Sequence, residues 1–122
     1  MGMSITGRKW AGTVSVLVLF TVAFLLRAVG ADYGYFHGDE RINEAAKVLT
    51  GQLVPEQHFY PPLINYLNAV GLAGLFGLGQ ALDWWSGPSG FRAQYFEDAT
   101  PFYVTARLLT AATGALLAPL FY

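Results

Sequence analysis

The sequence predicts an all-α integral membrane protein: three transmembrane helices, with one short amphipathic helix in the loop after the first. Three observations carry this. Of 122 residues, 54% are hydrophobic and only 12% are charged, against about 25% charged in a soluble domain. The apolar residues gather in three long runs, at 10–30, 59–82 and 102–122. Between the first two, residues 39–50 place apolar and charged side chains with a helical period. Cysteine is absent and the net charge is −1. Disulfides and thiolate metal sites are thereby excluded, and the charge balance gives no footprint for nucleic acid.

Each run can be justified in turn. A spanning helix needs about 20 mostly apolar residues. Residues 10–26 carry no charge, and 27–30 extend them if Arg27 snorkels to the interface. Arg8 and Lys9 with Val29-Gly30-Ala31 loosely resemble a signal peptide and its cleavage site. The run exceeds the usual ~7–15-residue signal core, so an uncleaved signal anchor is the simpler reading. The second run, 59–82, is broken only by Asn65, Asn68 and Gln80, and the third only by Arg107. The third run reaches the last residue without a cap or a turn. This leads to the expectation that the chain is a piece of a larger multi-span fold.

Topology follows from the basic residues. Arg8 and Lys9 put 1–9 in the cytoplasm. The loop 31–58 is then extracytoplasmic and 83–101 cytoplasmic, in a multi-pass plasma-membrane protein. Trp10, Trp84 and Trp85 fall at the cytoplasmic interface, as an aromatic belt requires. Arg107 falls on the cytoplasmic side and reads as structural. The core Ser86-Gly87-Pro88-Ser89-Gly90 reads as a flexible loop, with Phe91, Tyr95 and Phe96 resting on the membrane surface.

The outer loop has its own order. Ile42, Ala45, Ala46 and Leu49 recur at i, i+3, i+4 and i+7, one apolar stripe. Glu44 and Lys47 are spaced for an i,i+3 pair. Asp39 suits an N-cap and Gly51 a left-handed C-terminal cap. Helix 39–50 is thus expected to lie at the outer interface. Pro61 and Pro62 suit the first turn of the second span, where a missing N–H costs nothing. Gly71, Gly74, Gly77 and Gly79 give the small-residue spacing of packed membrane helices.

Two carboxylates beside a membrane either face water or have a task there. Asp39 and Glu40 also suit a helix start electrostatically, so spacing alone leaves cap and catalyst both open. Histidines 37 and 58 flank the loop. Asp39, Glu40 and His37 would enter a divalent-metal site only with further ligands from elsewhere; interfacial hydrogen bonding is the simpler role for the histidines.

The order of features adds to this. Tyr35-Phe36-His37-Gly38-Asp39-Glu40 is followed by a helix ending Leu49-Thr50-Gly51. Then come Phe59-Tyr60-Pro61-Pro62-Leu63, Asn65-Tyr66-Leu67, and Ala106-Arg107-Leu108-Leu109. From about residue 27 onward the chain resembles the N-terminal part of the GT-C membrane glycosyltransferases, in the branch of protein O-mannosyltransferases and aminoarabinose transferases of lipid A. The resemblance implies transfer of a hexose or pentose, mannose-like or related, from a polyprenyl-phosphate donor. The acceptor is a hydroxyl of a protein, lipid or glycan on the outer side, and the anomeric carbon inverts. It implies Asp39 as general base and Glu40 as its support. Two adjacent carboxylates would tend to raise each other's pKa. For the donor phosphate the candidates are Arg41, Arg27, His58 and Tyr60. Tyr60 departs from the pattern, since aminoarabinose transferases carry Lys at that place. The connection 83–101 is also longer than their tight turn. The alternative is a small three-span membrane protein whose acidic outer helix docks a partner.

Overall fold

The computed structural model describes residues 5–34, 36–56 and 60–121, and all regular structure among them is helical. The helices are α1 (Ile5–Ala28), α2 (Ile42–Leu49), α3 (Leu63–Ala81), α4 (Gly87–Glu97), α5 (Thr100–Ala115) and the short α6 (Leu117–Leu120). A single 3₁₀ turn, Gly38–Glu40, precedes α2. The chain forms two compact units, one of α1 with the segment from Thr110 onward, the other of residues 32–109. Among the described residues, two stretches are long and apolar enough to cross a membrane. They are Trp10–Ala28, with 19 residues and mean hydropathy 2.0, and Thr100–Leu120, with 21 residues and 1.2.

In the first unit, α1 is an apolar rod whose side chains stay largely exposed, such as Leu17, Leu25 and Leu26. Two of its polar side chains bond to their own helix. Ser15 Oγ donates to Ala11 O at 3.0 Å and Arg27 Nη1 to Ala23 O at 3.2 Å. Gly30, at φ 80°, ends it by turning left-handed. The third apolar run is not one helix. Leu116 separates α5 from α6. Pro119 has no N–H for the carbonyl of Ala115, and its ring crowds that carbonyl.

The second unit is built around Ile42, Ala45, Ala69, Leu72, Phe102 and Ala106. Full burial of Ile42 or Leu72 contributes about 1.5–3 kcal/mol each. The outer helix differs from expectation at its start and on its face. It begins at Ile42 rather than residue 39, because Arg41 adopts the left-handed conformation (φ 54°, ψ 36°). The buried stripe is Ile42 and Ala45, with Val48 packed beside them; Ala46 and Leu49 are exposed. That face packs on α3. The C-terminus follows expectation. Gly51, at φ 95°, donates to Val48 O at 3.0 Å and Gln52 to Lys47 O at 3.1 Å, the paired bonds of a Schellman cap.

Pro62 stands at the N-cap of α3, and Tyr66 N–H reaches its carbonyl at 3.2 Å. Asn65, Asn68, Ala69 and Leu72 form the buried face, whereas Leu63, Ile64, Leu67 and Val70 point outward. At the far end Asp83 takes the left-handed position (φ 56°). Trp84 N–H bonds to Gly79 O at 2.8 Å there.

The segment 83–101, expected as a flexible loop, instead holds α4. Pro88 lies in its first turn, where proline is pre-organised for helix. Phe91 and Tyr95 pack on the core and only Phe96 stays exposed. Gly90 lets this turn approach Trp85: a Cβ there would stand 3.2 Å from Trp85 Cβ.

Candidate active site

The Gly38–Glu40 turn is held from three directions. Locally it is a capping box built by His37. His37 Nδ1 accepts the Asp39 N–H at 3.2 Å, and His37 N–H donates to Glu40 Oε1 at 3.1 Å. Arg41 N–H closes the turn on Gly38 O at 3.2 Å. The cap residue is therefore His37, and Asp39 lies within the turn. Asp39 cannot cap α2 because left-handed Arg41 stands between them.

The distant hold comes from α5. Arg107 Nη2 donates to Glu40 Oε1 at 2.7 Å and Arg107 Nε to Oε2 at 2.8 Å. Arg107 Nη1 also donates to Tyr33 O at 3.1 Å. The guanidinium lies 5.0 Å from the Phe36 ring centroid, and Phe36 stacks on Tyr103 at 4.4 Å. Two-point Arg–carboxylate bonding fixes orientation as well as charge. Arg107 therefore lies on the same side as Glu40, whereas the topology expected from the sequence puts the two on opposite sides of the membrane. Sequence reasoning missed this pairing, although the signal was present: a lone charge in an apolar run calls for an opposite charge.

The two carboxylates are unequal. Hydrogen bonds from Arg107, more than the His37 backbone bond, hold Glu40 below the usual glutamate range despite its partial burial. Any mutual raising by Asp39 is overridden there. The Asp39 side chain is 69% exposed, and its Oδ2 lies 3.2 Å from His37 Nδ1. That nitrogen also accepts the Asp39 N–H. The approach to Oδ2 becomes an ion pair only when His37 gains a proton.

The phosphate candidates separate. Arg41 is buried, with Cζ 5.2 Å from the Tyr60 ring centroid and Nη2 3.9 Å from Glu44 Oε2. Its Nε is buried without a hydrogen-bond partner among the described residues. Arg27 belongs to the first unit and is bonded to its own helix. His58 lies outside the described residues. Tyr60 also lines an open cavity of about 580 Å³ with Leu53, Val54, Pro55, Pro61, Pro62 and Tyr66. Asp39 and Glu40 do not line it.

The expected Glu44–Lys47 pair is present at 3.0 Å, and Lys47 also reaches Glu56 at 2.8 Å. Glu56 is held below, and Lys47 above, its ordinary range, each chiefly by the bond between them. Among the described residues no three His, Asp or Glu side chains converge as a metal-ligand set. Both oxygens of Glu40 are already engaged by Arg107, so His37, Asp39 and Glu40 do not fit a ligand triad. Comparison of the chain with protein-family models, curated proteins and solved structures finds no match.

Proposed function

We propose that this chain is the N-terminal part of a GT-C-type membrane glycosyltransferase acting on a polyprenyl-phosphate sugar, with Asp39 as the acceptor-activating base. The observation that carries the proposal is the division of labour in one turn. Glu40 is committed to Arg107 and to the His37 N–H, while the neighbouring Asp39 carboxylate stands open to solvent. A base must reach the proton that it accepts, and the exposure of the Asp39 carboxylate supports that role.

In this reading the acceptor hydroxyl gives its proton to Asp39 as its oxygen attacks the anomeric carbon. The bond from that carbon to the phosphate oxygen breaks on the opposite face. The anomeric centre inverts, and polyprenyl phosphate leaves with the bonding pair. Glu40 and Arg107 hold the turn that presents Asp39. Arg41, beneath Tyr60, is the cation nearest in sequence for the leaving phosphate.

In the same reading α1, α3 and α5 are membrane helices, with the N-terminus cytoplasmic and the turn near the outer face, and the start of α5 lies on the turn's side, where Arg107 meets Glu40. In support, α3 has 19 residues, about 28 Å of helix at ~1.5 Å per residue. Its asparagines point inward, whereas Leu63, Ile64, Leu67 and Val70 point outward, as lipid contact requires.

The test is Asp39→Asn in the full-length protein, assayed in membranes with a labelled polyprenyl-phosphate sugar. Loss of about 10²–10⁴-fold in transfer is expected, the usual contribution of a general base, with expression retained. Near-normal turnover in this variant would show that Asp39 is not the base.

A further inference from the structure

We infer that the cleft at the α3–α4 corner binds an organic ammonium ion. This does not rest on the transferase reading and involves none of its residues. The cleft measures about 440 Å³ and is lined by Asp83, Trp84, Trp85, Gln94 and Glu97, with Ser86 at its edge. Pockets of about 300–1,000 Å³ hold small ligands.

Its walls are aromatic and nearly perpendicular. The Trp84 and Trp85 rings lie 5.8 Å apart at 75°. Trp85 is locked. Its Nε1–H donates to Phe76 O at 3.2 Å, its ring meets Phe91 at 5.0 Å, and it packs against Gly79. Trp84 is 55% exposed and supplies the free wall. The floor is one face of α4: Gly90, Ala93, Gln94 and Glu97 recur at i, i+3, i+4 and i+7. The first two are small and leave the space open.

Charge selects the ligand. Asp83 and Glu97 both line the cleft, and among the described residues neither is paired with a Lys or Arg. Aromatic faces attract cations through the ring quadrupole, and Trp does so best. Two uncompensated carboxylates beside an aromatic corner therefore complement a positive, apolar-skinned group rather than a neutral sugar. A free quaternary amine and the headgroup of a choline lipid share that chemistry.

The chain is reconstituted in phosphatidylglycerol nanodiscs, which carry no ammonium group. Tetramethylammonium chloride is titrated at constant ionic strength, with the indole N–H resonances of Trp84 and Trp85 as readout. A saturable shift is expected with tetramethylammonium and none with glucose. The Asp83→Asn/Glu97→Gln variant should weaken binding at least about tenfold, and Trp84→Ala should abolish it. The double variant is isosteric and removes no described hydrogen bond, so it carries the test if Trp84→Ala misfolds. An equal response to glucose, no saturation, or undiminished binding by the double variant would overturn the inference. Repeating the titration in phosphatidylcholine nanodiscs separates the sources. Weaker apparent binding there marks the lipid headgroup as occupant, and unchanged binding marks a free amine.

Discussion

Glu40 and Arg107 meet in a two-point ion pair, Oε1 to Nη2 at 2.7 Å and Oε2 to Nε at 2.8 Å, across 67 residues of chain. Both side chains are 22% exposed, so water screens the pair incompletely. Either partner left alone would keep a partly buried charge without compensation. Glu40→Gln or Arg107→Leu should each destabilise the fold by about 1–3 kcal/mol, read by thermal unfolding in detergent. The double variant should cost less than the sum. Arg107→Lys should recover only part, because a single ammonium cannot match the two-point geometry.

The same pair makes stability depend on pH. Arg107 first, and the His37 N–H next, depress the folded-state pKa of Glu40 below its ordinary 4.5. A depressed carboxyl contributes fully above its unfolded value and loses that contribution as pH falls through the folded value. Stability of the wild type relative to Glu40→Gln should be constant above about pH 5 and shrink below pH 4.5, in denaturation measured at stepwise lower pH.

Two glycines of α3 should respond differently to one added methyl. At Gly79 the methyl would overlap the Trp85 indole, which is fixed by its bond to Phe76 O. At Gly71 the nearest atom is Leu109 Cδ1, the far end of a flexible side chain. Gly79→Ala should therefore lower stability by about 1–3 kcal/mol and disturb Trp85 fluorescence, and Gly71→Ala should cost less.

Gly74 and Gly77 make the opposite prediction. A Cβ on either meets nothing within 4 Å, and both are exposed. Alanine there should raise stability by about 0.5–1 kcal/mol through helix propensity, in the same unfolding assay. A loss instead would mean that another helix packs on that face.

The legible features were those written locally. The uncharged run after Trp10, Gly51 as left-handed cap, the Glu44–Lys47 pair and the proline entry to α3 each depend on residues within a turn or two. The less legible features depended on neighbours far along the chain or on which local rule prevailed. Gly87-Pro88-Ser89-Gly90 has a loop composition, yet Pro88 is also a good helix starter, and packing of Phe91 and Tyr95 on the core decided for helix. The stripe on α2 shifted to Val48 because the face is set by α3. The acidic pair was visible as a motif, but the inequality of its members was not. That inequality depends on Arg107, and no spacing rule links positions 67 apart.

The separation of Glu40 and Arg107 also sets an order of assembly. His37, Gly38, Asp39 and Arg41 can close their turn as soon as they leave the ribosome. Arg107 follows Glu40 by 67 residues, roughly 3–13 s later at ~5–20 residues per second. Through that interval Glu40 has no Arg107 to pair with. When α5 is made, its one guanidinium meets a carboxylate already waiting. The partner that the helix needs to carry a charge through apolar surroundings is thus synthesised first.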